Sequence, residues 1–207
     1  MTQNSTDRLG EKIQFTMLIE AVALGDVHAF AAVYSEYYPL IYNYILRHIW
    51  QIESAQDVTS DVFVALLEKL GKVKFNDGNH FKNYLYKIAT NKTNEYIRKC
   101  MNRKTVSDSE CAEGAEIIAK ATDETSETDI IENQMQLETE YLKVYKHLVT
   151  LKPEYQNIIQ LRIYENKSYE DIAEITGINV NTLKSHFLRA INILKEKMQL
   201  IEPNKQY

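Results

Sequence analysis

The chain has 207 residues, of which 44% are apolar, so it is long enough to bury a core in one large or two small domains. Its 29 acidic residues outnumber its 24 lysines and arginines, and the net charge of −5 excludes a protein that binds nucleic acid through an overall basic surface. The polar start, Met1 to Glu11, and the acid Glu20 in the next apolar run argue against a signal peptide and a membrane span. We therefore expect a cytoplasmic protein without membrane insertion.

Cysteine and histidine are sparse. The two cysteines, Cys100 and Cys111, and the five histidines do not have the spacing of a disulfide framework or a metal cluster. We expect reduced thiols, no metal and no cofactor.

Helical periodicity runs through nearly the whole chain. Apolar residues recur at helical spacing, and alternating β-branched runs are missing. Turn signals at Gly25-Asp26, Asn76-Asp77-Gly78 and Gly177 separate the helices, and Pro153 fits the first turn of another. The sequence predicts an all-α protein.

Charge is distributed unevenly along the chain. Between Val106 and Glu140 eleven acids stand against one base, so we interpret residues 105–137 as an acidic flexible linker. It would join two small helical domains, residues 12–104 and 138–200. Lys82 to Lys104 instead holds seven basic residues against one acid, and the linker hides this basic stripe in the total charge.

The end of the chain has the pattern of a helix-turn-helix. Ser168 with Asp171 predicts a capped helix, Gly177 a left-handed turn, and Asn179 the cap of a second helix. One stripe of the second helix is apolar: Leu183, Phe187, Ala190, Ile191, Leu194 and Met198. The other face suits contacts with base edges and phosphates: Asn181, Thr182, Lys184, Ser185, His186 and Arg189. An ordinary helical hairpin with a solvated polar face is the alternative.

The run from Leu148 to Lys197 resembles region 4 of bacterial sigma factors. It has a proline helix start, then Ser168-x-x-Asp171-Ile-Ala, then a Thr182-Leu-Lys-Ser recognition helix. The resemblance implies that the six polar residues face the minus-thirty-five promoter element and that this domain docks on the flap of the polymerase β subunit. A LuxR-type output domain has a similar helix-turn-helix, so the N-terminal half must discriminate between the two.

In the N-terminal half, Ala21 to Tyr38 has a Gly25-Asp26 break and cap followed by an apolar face: Ala29, Phe30, Val33, Tyr34 and Tyr37. This segment resembles sigma region 2.1, in which such a break precedes a helix and a tyrosine-rich turn.

The next helix, Ala55 to Leu67, has an inner stripe of Val58, Val62, Ala65 and Leu66 and an outer face of Asp57, Asp61, Val64 and Glu68. An acidic face in solvent is the ordinary interpretation. However, Asp57-x-x-x-Asp61-Val-Phe resembles region 2.2, which grips the clamp helices of the polymerase β′ subunit. The resemblance implies polymerase contacts at Asp57, Ser60, Asp61 and Glu68.

A third segment, Phe81 to Arg98, separates into two faces. The spacing predicts a buried stripe of Phe81, Tyr84, Leu85 and Ile88, and a polar face suited to a phosphate backbone: Lys87, Asn91, Asn94 and Arg98. The segment resembles regions 2.3 and 2.4, which open and read the minus-ten element. In that family the preceding loop, here Phe75 to His80, captures a flipped base, so Asn76, Asp77 and Asn79 are candidates for its edge and Phe75 or Tyr86 for stacking.

Taken together, the blocks resemble an extracytoplasmic-function (ECF) sigma factor, with regions 2 and 4 in order and a linker between them. This resemblance implies a protein without catalytic residues, whose partners are core RNA polymerase, promoter DNA and an anti-sigma factor. The alternatives are a LuxR-like regulator, a helical interaction protein and a small helical enzyme. Against the enzyme, the sequence has no P-loop, metal spacing or nucleophile motif.

Overall fold

The computed structural model describes residues 14–49, 51–104, 144 and 146–199. Within these ranges the regular structure is helical, as predicted. The chain divides into two compact units, one in each half. The predicted linker, the exact domain boundaries beside it and Cys111 lie outside the described residues.

Four helices make up the described part of the first unit: α1 (Gln14–Ala23), α2 (Val27–Ile49), α3 (Ile52–Leu70) and α4 (Gly78–Lys104). Helices α2, α3 and α4 each pack against the other two. The side chains between them are almost wholly buried and include Ile41, Tyr44, Ile45, Val62, Phe63, Leu66, Phe81, Leu85 and Tyr86. Burial of this apolar surface is the main stabilising contribution to the unit.

The corner between α1 and α2 follows the predicted break. Gly25 has a φ of 90°, a conformation that glycine adopts without strain. Asp26 then caps α2, because its Oδ1 accepts hydrogen bonds from the backbone N–H groups of His28 at 2.8 Å and Ala29 at 3.1 Å. Both bonds stabilise the charged carboxylate and so hold the pKa of Asp26 below its usual value, and the bond from Ala29 has the larger effect.

Helix α2 contradicts one expectation. The tyrosine-rich turn does not form, since α2 continues through Tyr38 and Pro39 to Ile49. A proline inside a helix removes a backbone hydrogen bond and favours a kink. Tyr37 is buried on one side of this proline and Ile41 on the other, so core packing holds both parts of the helix.

The second unit contains α5 (Pro153–Ile159), which continues into a π turn (Gln160–Tyr164), then α6 (Tyr169–Thr176) and α7 (Val180–Gln199). Pro153 begins α5, as predicted. Both α5 and α6 pack against α7. The core includes Ile158, Leu161, Ile172, Ile175, Leu183 and Ala190.

The predicted caps of the second unit all form. The Asp171 N–H donates to Ser168 Oγ at 3.0 Å, and the Ser168 N–H donates to Asp171 Oδ2 at 3.2 Å, which completes a capping box. Gly177 ends α6 with a φ of 74°. Asn179 caps α7, because its Oδ1 accepts from the Asn181 N–H at 2.9 Å. These contacts fix a turn of only three residues between α6 and α7.

No described helix is by itself long and apolar enough to cross a membrane. Only α1 and α2 taken as a pair meet the length and hydropathy requirements, and a bend of 117° separates them.

We expect Gly177→Ala to lower the free energy of unfolding of the second unit by about 1 to 2 kcal/mol, because an L-residue is strained in the left-handed region. A β-carbon would meet no atom within 4 Å at this position, so the loss would be one of backbone strain alone. Urea unfolding combined with hydrogen exchange of the α6 and α7 amides measures it. Gly71→Ala is the matched control, since Gly71 has a φ of −70° and equally open space; an equal loss there would contradict the explanation.

The cap of α2 should be sensitive to acid. Because the pKa of Asp26 is lowered in the folded chain, its stabilising contribution is complete above the usual pKa of about 4 and is lost as the pH falls through the lower, folded value. The protection factors of the His28 and Ala29 amides, measured against their intrinsic exchange rates at each pH, should fall in that range. Asp26→Asn keeps the acceptor without the charge, so it should not show this pH dependence; the same profile in both proteins would contradict the assignment.

Candidate functional site

The outer face of α7 carries the predicted recognition residues. Five of them are exposed: Asn181, Thr182, Lys184, Ser185 and Arg189. On the opposite face Leu183 and Ala190 are fully buried, and Phe187 and Ile191 are half-buried. The prediction is wrong for Met198, which is 40% exposed and lies in the last turn of α7, one turn beyond the buried Leu194.

His186 differs from the other five candidates. It is half-buried, and its ring packs edge-on against Tyr155 at 5.3 Å. Its Nδ1 is buried and has no hydrogen-bond partner among the described residues.

Two cations converge on a tyrosine beside this face. The guanidinium carbon of Arg162 lies 5.1 Å from the centre of the Tyr169 ring, and Lys184 Nζ lies 5.8 Å from it. Arg162 also donates from Nη1 to the Lys167 carbonyl at 2.7 Å. Arg162 and Tyr169 were not among the predicted residues, because they lie outside α7 and the periodicity of that helix carries no signal for them.

Leu188 is an exposed apolar residue on the same helix that the sequence prediction did not include. It is 63% exposed and lies one turn after Lys184 and Ser185, next to Arg189. An exposed apolar side chain among polar ones is suited to the methyl group of thymine in the major groove. The signal was present in the sequence, since Leu188 falls outside the buried stripe of α7.

The polar face of α4 forms as predicted. Lys87, Asn91 and Arg98 are exposed, and Asn94 is half-buried. On the other side Phe81, Leu85 and Ile88 are buried, whereas Tyr84 is half-buried and has its pKa raised by that burial. Near the exposed strip, Glu95 pairs with Lys99 at 2.8 Å, and the pKa of Glu95 is lowered as a result.

The loop before α4 is shorter than predicted. Helix α4 begins at Gly78, so Asn79 and His80 belong to its first turn. Asp77 caps this helix, because its Oδ1 accepts from the His80 N–H at 2.8 Å. Asn76 remains in the loop with its side chain exposed. Of the three base-edge candidates, Asn76 and Asn79 have exposed side chains, and the Asp77 carboxylate caps α4.

The two stacking candidates are held inside aromatic packing. Tyr86 is fully buried with its ring edge-on to Tyr44 at 5.3 Å, so its prediction as a stacking candidate is wrong. Phe75 is half-buried and makes edge-on contacts with His80, Phe81 and Tyr84 at 5.1 to 5.7 Å. Tyr86 is buried because α4 packs against both α2 and α3, which covers a wider arc than a single apolar stripe.

The outer face of α3 is acidic with an apolar centre. Its four predicted contact residues are all exposed: Asp57, Ser60, Asp61 and Glu68. Val64 is 56% exposed and Leu67 45%, while the predicted inner stripe is buried. Ser60 Oγ donates to the Gln56 carbonyl at 3.0 Å, so this hydroxyl is partly satisfied within the helix.

Helices α3 and α4 are linked at two points. Asp61 Oδ2 lies 4.0 Å from Lys92 Nζ, an exposed ion pair of the kind that contributes about 0 to 1 kcal/mol. Tyr96 Oη donates to Ser54 Oγ at 2.8 Å near the start of α3. The acidic face of α3 and the basic stripe of α4 are therefore adjacent. Among the residues that the structure describes, no group of three His, Cys, Asp or Glu side chains is placed to hold a metal.

Two family models match the chain. The Sigma-70 region 2 model matches residues 33–103, and the Sigma-70 region 4 model matches residues 141–194. Together they cover more than half of the chain. Both matched segments contain the faces described above, on α3 and α4 in the first and on α7 in the second.

Curated relatives match over nearly their whole length. The RNA polymerase sigma-H factor of Pseudomonas aeruginosa is 27% identical over 191 residues, which are 90% of this chain and 94% of that protein. The ECF RNA polymerase sigma-E factor of Haemophilus influenzae is 29% identical over 192 residues, 92% of this chain and 98% of that protein. The sigma factor YlaC of Bacillus subtilis is 28% identical over 167 residues, 80% of this chain and 90% of that protein.

Solved structures show the same fold. CnrH in complex with the cytosolic domain of CnrY has a TM-score of 0.63 at 16% identity, covering 90% of this chain and 98% of that one. The sigma factor RpoE in complex with the anti-sigma factor NepR, from Bartonella quintana, has a TM-score of 0.59 at 20% identity, covering 85% of this chain and all of that one. From the two family matches and the full-length relatives, the chain belongs to the sigma-70 family, as an ECF sigma factor that directs transcription initiation and is not itself an enzyme.

Proposed function

We propose that residues 12–104 bind the β′ clamp helices of core RNA polymerase and open the minus-ten element, and that residues 138–200 bind the minus-thirty-five element and the β flap. The protein would act in the cytoplasm, where its polymerase and promoters are. The observation that carries this proposal is that an acidic face on α3 adjoins a basic stripe on α4 within one unit. Each face suits a partner of the opposite charge.

Polymerase binding is assigned to the outer face of α3. Asp57, Asp61 and Glu68 offer carboxylates to basic groups, with Ser60 beside them, and Val64 and Leu67 offer apolar surface for burial. Such a surface fits an amphipathic helix with a basic edge. The carboxylates would steer the encounter and fix the register, while burial of the apolar pair would supply affinity.

Minus-ten recognition is assigned to α4 and its loop. Lys87 and Arg98 would contact phosphates, with Asn91 and Asn94 between them on the same strip. Asn76 and Asn79 would meet the edge of an unpaired base, and Asp77 would hold the helix start that presents them. An unpaired base would give up its stacking in the duplex and gain these contacts, an exchange of about 1 to 3 kcal/mol per base.

Minus-thirty-five recognition is assigned to α7. Lys184 and Arg189 are the candidates for guanine or phosphate, and Asn181, Thr182, Ser185 and His186 for bases or backbone. We add three residues: Arg162 and Tyr169, whose cluster extends the basic surface beyond α7, and Leu188 for an apolar base contact. With few basic residues on this face, the second unit alone should bind DNA weakly.

An anti-sigma factor is a further proposed partner. Two structures of the same fold contain a second protein, the cytosolic domain of CnrY in one and the anti-sigma factor NepR in the other. We expect such a partner to cover the face of α3.

Residues 105–137 would serve as an acidic tether that DNA repels and that threads toward the active channel of the polymerase.

A LuxR-like regulator is the alternative function. It would bind operator DNA without core polymerase and would need only the helix-turn-helix. The match of residues 33–103 to Sigma-70 region 2 speaks against it.

The purified chain should convert core RNA polymerase into a form that makes open complexes on a pool of promoter fragments. Permanganate reactivity of unpaired thymines near position minus ten measures the opening. Core polymerase alone is the control. Failure of the chain to bind core polymerase would reject the proposal.

Substitutions on the two faces should separate the two kinds of binding. Lys184→Ala and Arg189→Ala should weaken minus-thirty-five binding by about 1 to 3 kcal/mol if the residue contacts a base. If it contacts a phosphate, the slope of the logarithm of the binding constant against the logarithm of the salt concentration should fall by about 1. Both variants should bind core polymerase normally. Asp61→Ala should weaken core binding. Fluorescence anisotropy measures both, with labelled promoter DNA for the first and with the labelled chain titrated with core polymerase for the second.

Matched controls are available for each face. Lys195→Ala removes the same charge from a later turn of α7, and Glu36→Gln removes an exposed carboxylate from α2. Both should bind like the unchanged protein. Loss of core binding in Lys184→Ala with normal DNA binding would show that the faces are assigned the wrong way round.

A further inference from the structure

The side chains of three elements meet at the ring of Tyr169, the first residue of α6. The guanidinium carbon of Arg162, from the π turn, lies 5.1 Å from the ring centre, and Lys184 Nζ, from α7, lies 5.8 Å from it. Arg162 and Tyr169 are half-buried, whereas Lys184 is exposed. We call these three residues the Tyr169 cluster. It gathers two positive charges at the start of the helix-turn-helix.

Two members of the Tyr169 cluster are anchored within the protein. The ring of Tyr169 is edge-on to the ring of Phe187 at 6.3 Å. Arg162 donates from Nη1 to the Lys167 carbonyl at 2.7 Å. The side chain of Lys184 is long and exposed, so the direction of its ammonium group depends on the attraction of the anchored ring.

The charge of the Tyr169 cluster indicates an anionic partner. Each cation is attracted by the negative face of the ring, but the two cations repel each other. Among the residues that the structure describes, no carboxylate forms an ion pair with either of them. An anion bound beside the ring would offset the repulsion by pairing with the cations, so the cluster is suited to the phosphates of a nucleic-acid backbone.

The position of the ring in the fold favours the DNA backbone over the bases as the partner of Lys184. In a helix-turn-helix the first helix crosses the backbone and the second enters the major groove. Tyr169 lies in the first turn of α6, the first of these helices, and it attracts Lys184 of the second helix toward itself. Arg189 is exposed on α7 and is not part of the cluster.

We propose that Tyr169 is a positioning residue, which holds Lys184 and Arg162 against the phosphate backbone beside the minus-thirty-five element. Arg189 is then the cation that reads a base. This inference rests on the proposed function and deepens it, because it decides between the base and phosphate roles that Lys184 could have. The ring acts through the two cations and needs no contact of its own with DNA.

The test measures how salt affects promoter binding by core RNA polymerase that carries the full chain. Tyr169→Leu removes the aromatic face without changing the charge, so both cations should lose their orientation. The slope of the logarithm of the binding constant against the logarithm of the salt concentration should fall by about 1 to 2. Tyr169→Phe keeps the face of the ring and should give the slope of the unchanged chain. Filter binding of labelled promoter fragments at several salt concentrations measures the slope.

Charge variants test each cation separately. Lys184→Gln and Arg162→Gln should each lower the slope by about 1 and weaken binding to all sequences alike, whereas Arg189→Gln should lose a base preference. A randomised minus-thirty-five segment, sequenced before and after binding, measures the preference. Lys195→Gln is the matched control, because it removes an exposed cation from a later turn of α7 and should leave the slope unchanged.

The outcomes separate this inference from the proposed function. If the unchanged chain gives polymerase no preference within the minus-thirty-five segment, the function proposed for α7 fails. If that preference is present but a folded Tyr169→Leu keeps the normal slope, the positioning role of Tyr169 is wrong. Loss of preference at a single base in Lys184→Gln would also overturn the inference, since it would assign Lys184 to a base. If circular dichroism shows Tyr169→Leu to be unfolded, Tyr169→Met, an unbranched apolar replacement, takes its place.

Discussion

The first unit depends on the packing of α4 against both α2 and α3. Phe81 and Leu85 fill part of this contact, and Tyr86 and Ala89 extend it around the helix, whereas the strip of Lys87, Asn91 and Arg98 remains exposed. A helix buried so widely cannot roll or slide without opening the core, because core side chains interdigitate closely. The polar residues on the strip are therefore held by the interior of the protein. This is an advantage for a DNA contact, whose orientation must be fixed before binding.

Opposite charges are separated over short distances in this protein. Carboxylates occupy the outer face of α3 and cations lie along α4, and Asp61 of the first group is 4.0 Å from Lys92 of the second. With a net charge of −5, the chain as a whole has no attraction for DNA beyond its basic surfaces. A protein built in this way should depend on polymerase to bring its DNA-binding residues to a promoter. The weak basic character of α7 is consistent with that dependence.

Features set by neighbouring residues were predictable from the sequence, and features set by distant ones were not. The capping box of Ser168, the left-handed Gly177 and the inner stripe of α3 follow from local hydrogen bonding and helical spacing, and the structure confirms them. The burial of Tyr86 depends on contact with Tyr44, 42 positions earlier in the chain. Likewise Arg162 reaches Tyr169 from another element. The end of the loop at Gly78 was misjudged because Asp77 serves both as a turn residue and as a helix cap. The polymerase, DNA and anti-sigma contacts remain predictions.

The turn between α6 and α7 limits how promoter preference can change. Only Gly177, Ile178 and Asn179 join the two helices. Gly177 ends α6 in the left-handed conformation, and the side chain of Asn179 caps α7. A residue inserted in the first turn of α7 would rotate every later side chain by about 100° and bring the apolar stripe toward the groove. Insertions and deletions in this turn are therefore not tolerated. New base preferences have to arise by substitution on a face of fixed geometry, so relatives with different promoters should keep the same spacing from Ser168 to Arg189.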